Sequence, residues 1–375
     1  MVKHKMNIIK INTENKQSVH SFIRFPFEMY TDSEYWVPPF PGEMQLVMNR
    51  QAHPFYHHSD AEFFVAELAG RIIGRLAVLM NANYCKFHEQ RIAFVYYLEM
   101  EEYPRICAAL LSTAEDWARQ HGANTLLIGK GFLRSNGQGI HVEGFDLPPA
   151  MGIPYQMPYY DEFIKQCGFE KETDYFSGIL EHRIDPLIHQ TADKVRSRSN
   201  FWVKSFKSSR EMETWIPRVD KVHHEAFAKN PSYYPSTEEE FALICRNIIA
   251  IANPAYIKLI MHEKEVAGFI IGYPNINHAI RTTRGSSSLF AMFRLLYEKN
   301  HSHWIDMNGI GLLPKYQGLG GNALLYSEAE KIIVNNGMIH AEIIQVDERN
   351  FRSKSDMNTV GVDWKKTHRT YIKKI

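Results

Sequence analysis

The chain has 375 residues, 45% apolar and 23% charged, the balance of an ordinary globular protein long enough for two domains with separate cores. Its 43 lysines and arginines against 42 aspartates and glutamates leave no global field for nucleic acid or an anionic membrane, so neither partner is expected, although a local basic patch is compatible with that balance. No apolar run approaches the ~18 residues of a membrane helix, the amino terminus has no apolar signal region, and Cys85, Cys107, Cys167 and Cys245 stand singly, so the expectation is a reduced cytoplasmic protein without a metal site.

In chain order, FFVAELAG and RIIGRLAVLM alternate around Gly70 and predict a hairpin, and RIAFVYYLEM predicts a third strand. PRICAALLSTAEDWARQHG then places Ile106, Ala109, Leu110, Ala114, Trp117 and Ala118 at helical spacing and stops at Gly122. TLLIG is a strand again. Residues 129–169 follow, rich in glycine and proline, and predict a long ordered loop leading to a Tyr-Tyr helix. A polar stretch without sustained periodicity, residues 181–200, is the expected join between domains spanning 1–185 and 195–375. Beyond it the same grammar returns. YIKLIMHE and VAGFIIGYP form a hairpin, HWIDMNGIGLL a strand, NALLYSEAEKIIVNNG a helix with Leu325, Ala329, Ile332 and Ile333 on one face, and IHAEIIQV a strand. Two such units predict a duplicated α/β fold of the α+β type, each half a mixed sheet with a crossover helix.

The second copy differs in its strand-to-helix turn. Gly309 and Gly311 weaken the strand unless its backbone must bend, Pro314 ends it, and Gln317, Gly318, Leu319, Gly320, Gly321 and Asn322 lead directly into the helix. A helix amino terminus presents unpaired N–H groups and the positive end of the macrodipole, and glycines let that backbone approach an anion closely. No lysine follows Gly320 or Gly321, which excludes a Walker A loop, and the preceding hairpin is foreign to a dinucleotide-binding half.

QGLGGN after a strand, with NFRSKSDMNTVGV over residues 350–362, resembles the two cofactor motifs of the GNAT (GCN5-related N-acetyltransferase) superfamily. The element order extends the resemblance to the first half, so the chain resembles tandem GNAT proteins of uncharacterised substrate. The resemblance implies that acetyl-CoA lays its pyrophosphate on the amides of residues 318–322. It also implies that the pantetheine pairs with backbone around Ile310 and Leu312, with Asn350 beside the cofactor arm. Three departures stand out: Asn322 where glycine or alanine is usual, Met357 where many members have a tyrosine acid, and EMEEYPRIC at the first half's equivalent turn. That last segment has three glutamates and no glycine, so no CoA site is expected in the first half.

Acyl transfer from a thioester to an amine needs a base, oxyanion donors and a route for the leaving thiolate. Asp306, Glu342 and His303 are the candidate bases and Tyr326 a candidate acid, though strand glycines leave open which side chains face the cleft. Arg134, Asn136, His141 and Tyr159 are further candidates for a polar pocket. The expected function is N-acyl transfer from acetyl-CoA to a small-molecule or peptide amine. A CoA-binding regulator and an aminoacyl-tRNA-dependent peptidyl transferase are the alternatives.

Overall fold

A computed structural model describes residues 5–180, 184–198 and 200–375; of the expected join, residues 181–183 and 199 lie outside the described set. The chain divides into two compact units, one comprising Met1–Tyr175, Ile280–Ala291 and Lys366–Ile375, the other Phe176–Ala279 and Met292–Lys365.

The first unit contains β1 (Asn7–Lys10), α1 (Lys16–Met29), α2 (Glu43–Met48), β2 (Asp60–Leu68), β3 (Arg71–Met80), α3 (Ala82–His88), β4 (Ile92–Met100), α4 (Pro104–Gln120), β5 (Thr125–Ile128), β6 (Ile140–Glu143) and α5 (Tyr159–Gln166). β7 (Glu170–Leu180) leads out of it. Ala69 (φ 52°) and Gly70 (φ 79°) are both left-handed, the conformation a two-residue hairpin between β2 and β3 demands. α4 buries Ile106, Leu110, Ala114 and Trp117 against the sheet. It lies so close that a Cβ on Gly74 would sit 2.7 Å from Ile106 Cγ2.

The second unit contains α6 (Pro186–Arg198), β8 (Phe201–Ser205), α7 (Ser209–Glu213), α8 (Ile216–Phe227), α9 (Glu238–Ile251), β9 (Ile257–His262), β10 (Glu265–Pro274), α10 (Asn277–Thr282), α11 (Leu289–His301), β11 (Trp304–Leu312), α12 (Gly321–Asn335), β12 (His340–Asp347) and α13 (Phe351–Thr359). Its strands run in the order β12-β11-β10-β9-β8, and Leu259, Ile270, Ile305, Leu324 and Ala341 centre a separate core. α10 and α11 take their first residues and last residues from different units.

Two elements depart from the sequence reading. The polar stretch expected to be a join holds a helix, α6, which buries Ala192 and packs Ile188 and Val195 onto the second core. Its apolar residues are few and its remaining positions polar, which is why periodicity missed it. The last strand, β13 (Asp363–Lys374), places its final residues in the first unit, where Tyr371 pairs with Ile128 and Lys373 with Leu126. β5 has only four residues, and its outer edge is completed by β13 rather than left open.

Inside the first unit the Arg75 side chain is 1% exposed, ion-paired to Glu99, with Nη1 donating to Phe22 O at 2.6 Å. Burial pushes the Glu99 carboxyl up against the pull of Arg75. Arg75→Met keeps the apolar stem and strands that carboxyl, so urea denaturation should show a loss of about 3–5 kcal/mol. A loss below about 1 kcal/mol would mean that the buried pair contributes little beyond packing.

Candidate functional site

β11 and β12 run parallel from Trp304↔His340 to Met307↔Ile343, and there their register ends. β11 continues along β10 to Leu312, with Ile271 opposite Gly309 and Gly272 opposite Met307, so Asn308 is bulged out of the ladder. Beyond Met307 the two strands therefore part. Among the described residues no β12 partner continues the ladder along 308–312, and that edge of β11 opens a wedge whose vertex is the Met307–Ile343 pair.

The turn between β11 and α12 closes the mouth of this wedge. Its glycines do different work. A Cβ on Gly321 would lie 2.8 Å from Leu312 Cδ2, and one on Gly320 (φ +84°) would lie 2.3 Å from Val195 Cγ2, so both are held by packing. Gly318 (φ +78°) has no heavy atom within 4 Å of a Cβ position, and Leu319 is 62% exposed. The open part of the turn is its tip. α12 begins there without a side-chain cap and without an acidic residue in its first turn. α9, by contrast, starts with a capping box between Thr237 and Glu240 and three glutamates. The uncapped terminus suits an external anion such as a pyrophosphate. Gln317 accepts from Arg352 on α13 and donates to Leu312 O at 2.9 Å. That hydrogen bond occupies the Leu312 carbonyl, so of the two strand positions expected to meet a pantetheine arm, Ile310 is the one whose backbone the turn leaves alone.

At the vertex, Asp306 and Glu342 are register partners on adjacent strands, 0% and 1% exposed. Trp304 and His340, two residues back, meet on the same face with ring centroids 4.8 Å apart and planes tilted by 37°, while Ile305, Met307 and Ala341 point to the core under α12. Because the bulge falls after Asp306, side-chain alternation holds up to it. Asn275 Nδ2 donates to both Asp306 oxygens at 3.2 and 3.1 Å. Tyr273 is the β10 partner of Asp306, and its hydroxyl accepts from Asn308 Nδ2. Burial, then Asp306 and Glu342, pushes the Tyr273 phenol far above its ordinary value. Tyr273, Asn275 and Asn308 were not singled out from sequence; only strand pairing brings them to the carboxyls.

The other candidates lie elsewhere. His303 is exposed at the start of β11, Nδ1 facing Gly337 O at 3.2 Å, at the end remote from the wedge. Tyr326 donates to Asp356 Oδ2 at 2.8 Å, and Asn322 Nδ2 donates to the same oxygen at 3.2 Å. Burial and then Asp356 push the Tyr326 phenol well up. Asn350 caps α13, accepting from Ser353 N at 3.1 Å, and Met357 is buried in the core.

In the first unit the corresponding wedge is filled. β4 and β5 pair from Ile92↔Thr125 to Val95↔Ile128, and Tyr97 (φ 52°) marks a bulge. Beyond it, Met100 N donates to Tyr160 Oη at 2.7 Å and Tyr159 Oη donates to Met100 O at 2.6 Å. Gly139 N donates to Gly129 O at 2.8 Å, and Tyr96 Oη to Gly137 O at 3.0 Å, which ties the long loop over the strand ends. Asn136 closes a turn within that loop by accepting from Leu133 N at 2.8 Å. His141 stacks on His368 at 4.8 Å, and burial pulls its pKa down to about 4. Asn136, His141 and Tyr159, among the residues expected to line a polar pocket, make contacts within the first unit. The groove beside Tyr159 is lined by Glu101 and Glu102, a poor seat for an anion.

No protein-family profile matches the chain. It is 26% identical to protein YghO of Escherichia coli over 96% of this chain and 94% of that one. It is 24% identical to a bacterial ceramide synthase of Caulobacter vibrioides over 78% and 76%. Among solved structures, a tandem GNAT protein from the clavulanic acid biosynthesis pathway superposes with a TM-score of 0.57 at 12% identity, covering 99% of this chain and 98% of that one. A GCN5-related N-acetyltransferase of Sphaerobacter thermophilus gives 0.52 at 12% identity, covering 98% and 95%. With its wedge, bulge and glycine turn, the chain has the fold of the tandem GNAT acetyltransferases.

Proposed function

We propose that the protein is a CoA-dependent N-acyltransferase with one cofactor site per chain, in the second unit. The parting of β11 from β12, directly followed by the uncapped terminus of α12, carries this reading. A CoA thioester would supply the activated acyl group, its pyrophosphate at the tip around Gly318 and Leu319. Arg352 stands beside that tip as a countercharge. The open β11 edge offers backbone donors and acceptors to an extended arm, a strand addition in miniature. Asp306 and Glu342 at the vertex are the groups placed to take the amine proton, with Asn275 holding the Asp306 carboxyl.

On the acceptor side, a ceramide is the amide of a long-chain amino alcohol. The likeness to a ceramide synthase favours a lipid amine over the small molecule or peptide expected from sequence, and an acyl chain longer than acetyl.

Leu319→Glu places a carboxylate at the exposed tip without crowding the core, and calorimetry should show CoA binding weakened by at least about tenfold, ~1.4 kcal/mol. Tyr103→Glu, at the first unit's equivalent turn, should leave CoA affinity within about twofold of the parent. Equal losses in both would count against a single site. Asp306→Asn or Glu342→Gln should lower turnover by about 10²–10⁴-fold in a CoA-thiol release assay with a long-chain amino alcohol, CoA affinity being retained. If neither variant loses more than about threefold, the base lies elsewhere. Met357→Leu conserves volume and removes no proton donor, so turnover should change by less than about threefold. A hundredfold loss with CoA affinity intact would give that sulfur a role its burial does not suggest.

A further inference from the structure

α11 carries its apolar residues on the side away from the protein. Leu289, Phe290, Met292, Phe293, Leu296 and Tyr297 are 78, 70, 55, 72, 52 and 61% exposed, whereas Ala291 is fully buried. At about 100° per residue the six fall within one arc of roughly 160°, and Ala291 and Glu298 centre the opposite arc. The inward face is anchored by polar contacts. Glu298 faces His278 Nδ1 at 3.4 Å, and Lys299 Nζ donates to Ala250 O at 3.0 Å. The amphipathicity is thus inverted relative to a helix whose apolar stripe faces its own core.

Charge supplies the second observation. Over residues 277–301 there are four cations, Arg281, Arg284, Arg294 and Lys299, and one acid, Glu298, which is turned towards His278. Arg284 is exposed and Arg281 half-buried just before the helix, while Arg294 borders the apolar arc. Thirteen residues of helix span only about 20 Å, and no described helix is long and apolar enough to cross a membrane. A short helix with a continuous apolar face and basic flanks has the character of an interfacial helix. An isologous dimer through the same face would bring two sets of these cations together, which an anionic surface would instead neutralise.

We propose that α11 seats the protein on an anionic phospholipid bilayer, its axis in the plane of the surface. Leu289, Phe290, Phe293 and Leu296 enter the acyl region, and Arg281, Arg284 and Arg294 meet the headgroup phosphates. This seat needs only the exposure and charge of α11 and its flank and stands whether or not the second unit binds CoA. It also revises the expectation of no membrane partner. The near-neutral total charge conceals a segment in which cations gather beside apolar side chains.

The test is flotation of the full chain with vesicles of phosphatidylcholine alone or mixed equally with phosphatidylglycerol. The parent chain should float with the anionic vesicles and at least about tenfold less with the zwitterionic ones. Phe290→Ser combined with Phe293→Ser should lower binding to anionic vesicles by at least about tenfold, with melting unchanged because both side chains are exposed. Arg281→Gln with Arg284→Gln should weaken binding to anionic vesicles selectively and leave the phosphatidylcholine baseline unmoved. The proposal fails if the parent chain stays unbound with both vesicle types, or if the double serine variant floats like the parent. It fails equally if sedimentation shows a parent dimer that the serine variant dissolves, which would assign this face to a second copy.

Discussion

The end of the β11–β12 ladder at Met307 and Ile343 is the constraint from which the candidate site follows. Backbone N–H and C=O groups that leave a ladder must find other partners. On β11, the bulge at Asn308 and the glycines at 309 and 311 keep the strand paired to β10 while its other edge turns free. A Cβ on Gly311 would come within 2.8 Å of the Phe269 ring, so the strand hugs its remaining neighbour closely. What the edge lacks in protein partners, an extended ligand can supply. The first unit solves the same problem internally, satisfying Met100 with two tyrosine hydroxyls and folding its long loop over the strand ends. One architecture thus yields an open wedge in one copy and a plugged one in the other.

The glycine turn is set first by packing. Gly320 and Gly321 are needed because Val195 and Leu312 leave no room for a Cβ, which is a structural demand. That demand nonetheless fixes the terminus of α12, and with it the direction of its first N–H groups. α6 is part of the same device. Arg196 bridges to Glu328 at 2.7 Å, and His189 Nδ1 meets Ser327 Oγ at 2.9 Å, so α6 is clamped along α12. Precise placement of a helix terminus is what preorganised anion binding requires.

The repeated hairpin, strand, helix and strand were legible because each carries a clean period of two or 3.6. So was the place of the turn, since glycines clustered after a strand-ending proline mark the passage from strand to helix, whether packing or a ligand requires them. The misses have separate physical causes. α6 is too polar to show its stripe, β13 completes a sheet far away in sequence, and the α11 stripe shows periodicity but not which side it faces. The tyrosines that plug the first wedge read as part of a loop-bounded helix, and nothing local says that Tyr159 and Tyr160 reach Met100. Asp306 and Glu342 were identified by type, but their adjacency is a property of strand register, as is the approach of Tyr273 and Asn275. His303 shared the same strand and the better ordinary pKa, yet it sits at the remote end, where reach outweighs acidity.

The unequal fates of the candidate base and the candidate acid are consistent with the chemistry. An alkyl amine has an ordinary pKa near ~10, so at neutral pH it arrives as an ammonium and cannot attack until a base removes its proton. A thiol near ~8.5 leaves tolerably as the thiolate, so a proton donor assists transfer without being indispensable. Two carboxyls with an amide and a phenol around them occupy the vertex. The position where the GNAT resemblance implies a tyrosine acid holds Met357, which fills the core. Tyr326, the candidate acid, donates its hydroxyl hydrogen bond to Asp356, so it would have to break that part-buried bond before serving as an acid. If the wedge takes an amine and a thioester as proposed, the groups at its vertex suit the base that such a transfer cannot omit, and the acid it can do without is the role that packing has claimed.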